Sequence, residues 1–292
     1  MRKVKLAAIQ MSCEGSVMEN IKKAEHFVRE AASAGAQMIL LPELFETKYF
    51  CQERSYDYYN MATESYENPA VCHFKEICKE LKLVMPISFY ERSGSTTFNS
   101  TAIIDADGEI LGIYRKTHIP DDHYYQEKFY FSPGDTGFKV WDTAYGKLGV
   151  GICWDQWFPE SARCMALMGA EILMYPTAIG SEPILDCDSM PHWRRVMQGH
   201  SAANIIPLVA ANRIGTEAVT PTEANGGQES SLSFYGSSFI TDETGALQAQ
   251  ADRNTQGFIL YETDLDSVRD MRLSWGLFRD RRPEHYGPIM HL

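Results

Sequence analysis

Nowhere in its 292 residues does the chain hold an apolar run near the roughly 20 residues that a membrane-spanning helix requires. Positive charge is scarce. Lys and Arg number 27 against 39 Asp and Glu, a formal net charge of −12, which excludes the basic face that nucleic-acid phosphates demand. An acid excess suits a cationic small molecule as ligand. The seven cysteines include no CxxC pair and no Cys/His group at zinc spacing, so neither a metal nor a cofactor is expected. Their odd number and wide scatter exclude a disulfide framework and point to a reducing compartment, the cytoplasm. The start, Met1-Arg2-Lys3-Val4-Lys5, has the charge of a leader, but its apolar part is short and Glu14 and Glu19 follow without a cleavage pattern. It reads as a first strand.

What is present is alternation of strand and helix. Residues 6–11 are strand-like, and Ile21, Ala24, Phe27, Val28, Ala31 and Ala32 then recur on one helical face, with Asn20 as the expected cap. A buried strand over residues 37–43, a helix after Asn68-Pro69 and a strand over 83–90 follow. Asp107-Gly108 marks a hairpin between residues 99–104 and 109–114. The same order returns later: strand 148–152, helix 160–168, strand 170–176, helix near 193–200, strand 206–211 and a hairpin about Thr244-Gly245. Residues 215–231, polar and rich in Gly, Thr and Glu, are expected to form a mobile loop. Gly35-Ala36-Gln37-Met38-Ile39-Leu40-Leu41-Pro42 resembles Gly169-Ala170-Glu171-Ile172-Leu173-Met174-Tyr175-Pro176, and Ser100 to Gly108 matches Ser237 to Gly245 at nearly the same separation. Two similar α/β halves predict two sheets packed face to face with helices outside. That is a four-layer α-β-β-α sandwich with an internal pseudo-two-fold, a single domain over residues 1–292.

The chemistry centres on Gly151-Ile152-Cys153-Trp154-Asp155-Gln156-Trp157-Phe158-Pro159. An apolar strand ends at Cys153 and Pro159 opens a helix, so the thiol sits at a strand-to-helix turn where backbone N–H groups point outward. A buried cysteine alone is equally compatible with inert core. A thiol that attacks a carbonyl-like carbon also needs a proton shuttle and a cation for the oxyanion. Glu43 ends a buried strand after Pro42, where desolvation suits a carboxylate to proton transfer. Lys116 ends the strand that leaves the first hairpin.

Leu41-Pro42-Glu43, Tyr114-Arg115-Lys116-Thr117-His118 and Gly151-Ile152-Cys153-Trp154-Asp155 together resemble, in order and spacing, the three signatures of the nitrilase/carbon–nitrogen hydrolase superfamily. The resemblance spans nearly the whole chain. It implies a hydrolase of non-peptide carbon–nitrogen bonds, with Glu43, Lys116 and Cys153 as catalytic triad, Glu127 as supporting carboxylate, and a homodimer or larger assembly. The segments 129–138, 175–183 and 275–283 resemble the polyamine-pathway branch, which implies a small cationic carbamoyl amine as substrate. Siblings acting on carbamoyl amino acids carry an arginine soon after the nucleophile. Here Asp155-Gln156-Trp157 brings no positive charge, which favours an amine-bearing substrate.

Candidate binders of that substrate are Trp154, Asp155, Trp157, Tyr124, Asp122 and Glu182, with Asp121, Asp186, Asp188 and Phe131 close in sequence. The main alternative is a β-ureidopropionase-like hydrolase, whose carboxylate-bearing substrate would call on Arg194 and Arg195. A more remote one is a non-catalytic protein on the same scaffold. Trp275, Leu277 and Phe278 make the tail from about residue 273 apolar enough to expect burial between subunits.

Overall fold

The computed structural model describes residues 1–181 and 186–291. The first half runs β1 (Lys3–Gln10), α1 (Val17–Ser33), β2 (Met38–Leu40), α2 (Pro69–Leu81), β3 (Met85–Ser93), β4 (Thr96–Ile104) and β5 (Ile110–Arg115). The second runs β6 (Val140–Thr143), β7 (Gly146–Val150), α3 (Pro159–Leu167), β8 (Ile172–Thr177), α4 (Met190–Asn204) and β9 (Leu208–Asn212). It continues with β10 (Ile214–Val219), β11 (Ser230–Tyr235), β12 (Phe239–Thr241), β13 (Leu247–Gln250), β14 (Gly257–Asp264) and α5 (Leu265–Trp275).

One sheet is ordered β13-β12-β9-β8-β7-β6. The other is built from β14-β1-β2 and β3-β4-β5, joined where Ile39 N–H donates to Val84 O and Val84 N–H to Gln37 O. The halves correspond strand by strand. β1 and β2 are parallel with a helix between, as are β7 and β8, and each run ends in an antiparallel hairpin. The matched glycines show why the repeat is visible in sequence. Gly35 and Gly169 have φ of 94° and 97°, and Gly108 and Gly245 have 86° and 82°, so the same turns need the same residue that tolerates positive φ.

Side-chain alternation along the strands sorts the layers. Leu6, Ala8, Leu40, Leu148, Val150 and Met174 meet between the two sheets. Ala7, Ile9, Met85 and Ile87 face the buried stripe of α1 and α2, among them Ile21, Val28, Phe74 and Ile77. Leu173, Tyr175, Leu208 and Phe239 face Met165 of α3 and Trp193 and Met197 of α4. This is the four-layer α-β-β-α sandwich that the repeat implies. The outer edge is closed by β14, which pairs antiparallel with β1 from Lys3↔Asp264 to Gln10↔Gly257.

Two local expectations are corrected. Asn20 does not cap α1. Glu19 reaches back to accept from the Ser16 N–H at 2.8 Å and its hydroxyl at 2.7 Å, while the Asn20 amide is buried and donates to Cys13 O, Gly15 O and Glu46 O. Residues 215–231 are not simply a loop. β10 and β11 form an antiparallel ribbon from Ile214↔Tyr235 to Val219↔Ser230, and the Asn225 amide ties the connection to Glu53 Oε2 at 2.6 Å. The alternation of Ser230, Leu232 and Phe234 inward with Ser231 and Ser233 outward carries that strand signal.

Candidate active site

The ends of β2, β5 and β7 meet at one edge of the sandwich. The segment after β2 carries Glu43, whose N–H donates to Thr177 O, the matching strand end of the other half. Lys116 follows β5, its own N–H held by Asn99 O at 2.8 Å. Gly134 lets the loop behind it pass close, because a Cβ there would lie 2.1 Å from Arg115 O. Cys153 follows β7 at φ +39°, a conformation that costs a non-glycine residue about 1–3 kcal/mol and persists only where its surroundings enforce it.

Asp155 does that enforcing. Its Oδ2 accepts from Ile152 N–H at 2.9 Å and Tyr114 OH at 2.7 Å, and its Oδ1 contacts His118 N–H at 3.0 Å and Nδ1 at 2.7 Å. The His118 ring is stacked on Phe158, 3.6 Å between centroids. Asp155 thus clips the strand bearing Lys116 to the turn bearing Cys153. Fully buried and with both oxygens committed inward, it leaves no lone pair facing a substrate amine.

Lys116 is wholly buried between two carboxylates. Its Nζ donates to Glu43 Oε1 at 2.9 Å and to Glu127 Oε2 at 2.6 Å. Asn99 Nδ2 also donates to Glu43 Oε1, at 2.7 Å, and Tyr49 OH to Glu127 Oε1, at 2.7 Å. Glu43 Oε2 has no hydrogen-bond partner among the described residues and is the open proton acceptor of the cluster. Sequence reasoning missed Asn99 and Tyr49. The only signal was polar residues in or beside apolar, strand-ending segments.

Electrostatics follow from burial. Desolvation raises the Glu127 carboxyl to about 7, with Lys116 opposing the rise. Burial would lower the Lys116 pKa, but Glu127 and Glu43 outweigh it and hold the ammonium well above its ordinary value. The Cys153 thiol, 5 % exposed, is pushed up by burial and by Glu43, with Lys116 pulling the other way. A resting thiol beside a free carboxylate oxygen and a fixed ammonium can deliver a sulfur nucleophile and balance one developing negative charge. Among the described residues no group of His, Cys, Asp and Glu could hold a metal ion.

The remaining candidates are dispersed. Trp154, 39 % exposed, follows Cys153 and meets Trp157 edge-on at 6.2 Å, and Trp157 packs against His192. Asp122 and Tyr124 line a pocket of about 430 Å³ with Arg54, Asp121, Gln126 and Glu229, and Cys153 is not among its lining residues. Asp121 lies 4.0 Å from Arg54, and Asp188 pairs with Arg253 at 2.6 Å. Glu182 lies outside the described residues. Arg194 bonds Gln250 and Arg195 lines a groove between α3, α4 and the tail, so neither supplies a cation beside the thiol.

A four-layer sandwich with Cys, Lys and Glu converging at one sheet edge defines a class. The chain belongs to the carbon–nitrogen hydrolase family, whose model matches residues 5–273, and it is a hydrolase acting on carbon–nitrogen bonds. Among its relatives, N-carbamoylputrescine amidase of Arabidopsis thaliana is 52% identical, covering 99% of this chain and 96% of that protein. A citrullinase of Francisella tularensis is also 52% identical, covering 99% of each. The crystal structure of a carbon–nitrogen hydrolase from Helicobacter pylori G27 superposes with a TM-score of 0.90 at 34% identity, covering 99% of both chains. Among the described residues no helix is long and apolar enough to cross a membrane.

Proposed function

We propose that the protein hydrolyses N-carbamoylputrescine to putrescine, carbon dioxide and ammonia, in polyamine synthesis. The observation that carries the chemistry is the buried Glu43–Lys116–Glu127 cluster with one free carboxylate oxygen. Glu43 takes the Cys153 proton as sulfur attacks the ureido carbon. Lys116 and the Trp154 N–H hold the oxyanion, and Glu43 returns the proton to departing ammonia. Water activated by Glu43 then opens the carbamoyl-thioester. The released carbamate falls apart to carbon dioxide and the amine. Glu127 keeps Lys116 aimed.

Substrate choice is a question of charge at the far end. Citrulline offers the same ureido group but adds a carboxylate beside its ammonium. Near the cluster, Lys116 and Arg213 are both already paired with carboxylates, and the neighbouring pocket carries three acids, Asp121, Asp122 and Glu229, against Arg54, which lies 4.0 Å from Asp121. That balance favours a substrate ending in ammonium alone, received by Trp154, Trp157, Tyr124 and Asp122. Ammonia release from N-carbamoylputrescine, citrulline and N-carbamoyl-β-alanine at equal concentration tests this. The first is expected to exceed both others by at least about tenfold in kcat/KM, the size of one well-placed charge contact. Citrulline or N-carbamoyl-β-alanine as the better substrate overturns the reading.

The same reading takes residues 1–292 as one cytoplasmic hydrolase domain, where a reducing medium keeps the thiol reactive. The tail from about residue 273 builds contacts between copies. Leu273 and Met290 of the tail are exposed, as is Trp275 at 66 %, and exposed Leu277 and Ile289 line, with Leu167, a groove of about 950 Å³. Phe278 alone is tucked back, between Arg163 and Arg272. Sedimentation at micromolar concentration is expected to give a homodimer or larger species. A monomer there rules the assembly out.

A further inference from the structure

Behind the cluster lies a second buried ion pair that touches none of the reacting atoms. Arg213 and Glu217, both buried, are joined at 3.0 Å. The ion pair by itself is a weak source of stability, since apolar residues of similar volume often replace such a pair at no cost. Their partners are informative. Arg213 Nη2 donates to Glu43 O at 2.7 Å and Leu44 O at 3.0 Å, and Nη1 to Thr47 O at 3.2 Å. Glu217 Oε2 accepts from Tyr49 N–H at 2.6 Å, and the hydroxyl of the same tyrosine donates to Glu127.

We propose that Arg213 is a positioning residue for the hydrolysis, closing a ring of hydrogen bonds that fixes Glu43 and Glu127 against Lys116. The ring runs from Arg213 through Glu217, Tyr49, Glu127 and Lys116 to the Glu43 side chain, and returns through the Glu43 carbonyl. Glu127 is held by Lys116 on one oxygen and by Tyr49 on the other, while Glu43 is held by Lys116 and Asn99 at its carboxylate and by Arg213 at its main-chain carbonyl. The need for a brace is visible next door. Leu44 sits at φ +49°, a strained conformation for a branched side chain, and Arg213 takes both carbonyls that flank that strain. Asn212, beside it, grips Ile179 N–H and O at 3.0 and 2.9 Å and so sets Ala178, whose carbonyl faces the Cys153 sulfur. The end of β9 therefore braces both sides of the site. A planar guanidinium with several fixed donors spans those carbonyls where an ammonium cannot.

The inference rests on the catalytic roles given above, and its test reads them separately. Arg213→Lys, Arg213→Met and Tyr49→Phe are compared with the unaltered protein. The measurements are kcat and KM for N-carbamoylputrescine per Cys153 thiol alkylated by iodoacetamide and read on its own peptide, because Cys72, Cys164 and Cys187 are exposed thiols as well, the pH dependence of that alkylation, and thermal melting. Arg213→Lys is expected to lose about 100-fold in kcat per intact thiol, the scale of a misplacement near 1 Å, with KM within about threefold. Arg213→Met is expected to be worse than Arg213→Lys. Tyr49→Phe removes one hydroxyl from Glu127, whose pKa then rises; with that carboxyl neutral over more of the range, its upward push on the Cys153 thiol is relieved and the alkylation profile moves to lower pH.

Variants that melt earlier yet keep kcat per thiol within twofold overturn the proposal and leave Arg213 a structural bolt. If neither Arg213 variant folds, Tyr49→Phe decides alone, and an unmoved alkylation profile with unchanged kcat overturns it. If the unaltered protein ignores N-carbamoylputrescine while the alkylation profile still shifts, the substrate reading fails and the brace stands.

Discussion

Cys153→Ala is expected to fold normally and to lose turnover by a factor on the order of 10⁶, the loss seen when a hydrolase surrenders its covalent nucleophile. The argument is one of position as much as of sulfur. The turn at φ +39° is set by Asp155 through hydrogen bonds with Ile152, Tyr114 and His118, whereas the thiol itself faces the Ala178 carbonyl. Alanine therefore inherits the same backbone, and only a small buried group disappears. The change in stability is expected to stay within about 1 kcal/mol. Circular dichroism and melting check the fold, and ammonia release checks turnover. Activity within a hundredfold of the unaltered protein would sink the thiol mechanism.

Lys116→Met is expected to abolish activity at every pH and to destabilise the protein in a pH-dependent way. Removing one partner of a buried ion pair costs about 3–5 kcal/mol because the remaining charges are left uncompensated. Here two carboxylates are left facing each other without a cation. Lys116 now holds the Glu127 pKa down against burial, so its loss moves that pKa up from about 7. A carboxyl raised in the folded state keeps its proton there while the unfolded chain, near 4.5, has released it. Stability then falls as pH rises through that window. The gap in melting temperature between variant and parent is expected to widen from pH 5.5 to 8.5. A gap that stays flat, or narrows, would mean that the ammonium does not hold the Glu127 pKa down.

Much of this was legible in sequence because it is written in local code. Period-two strands, amphipathic helices and the glycines at 35, 108, 169 and 245 each depend on neighbours within a few residues, so the doubled architecture could be read directly. Glu43, Lys116 and Cys153 each end an apolar strand, which is also a local property. Asp155 was different. An acid beside Cys153 reads in sequence as a contact for a substrate amine, but its partners Tyr114 and His118 arrive from about 40 residues earlier in the chain. Tyr49 and Arg213 were hidden for the same reason, as their significance comes only from long-range hydrogen bonds. Arg213 still left a trace: it directly follows the wholly buried Leu208 to Asn212, where a solvated arginine would not fit.

The pairing of β1 with β14 bears on how the protein is made. β1 hydrogen-bonds along one edge to a strand translated some 250 residues later. Until then the nascent chain carries an open strand edge, the kind of template on which neighbouring chains aggregate. Contacts so distant in sequence also make for slow folding. Synthesis of this hydrolase is therefore close to all-or-nothing: a ribosome that stalls before residue 257 yields a chain that already holds Glu43, Lys116 and Cys153 but lacks the strand that closes their sheet.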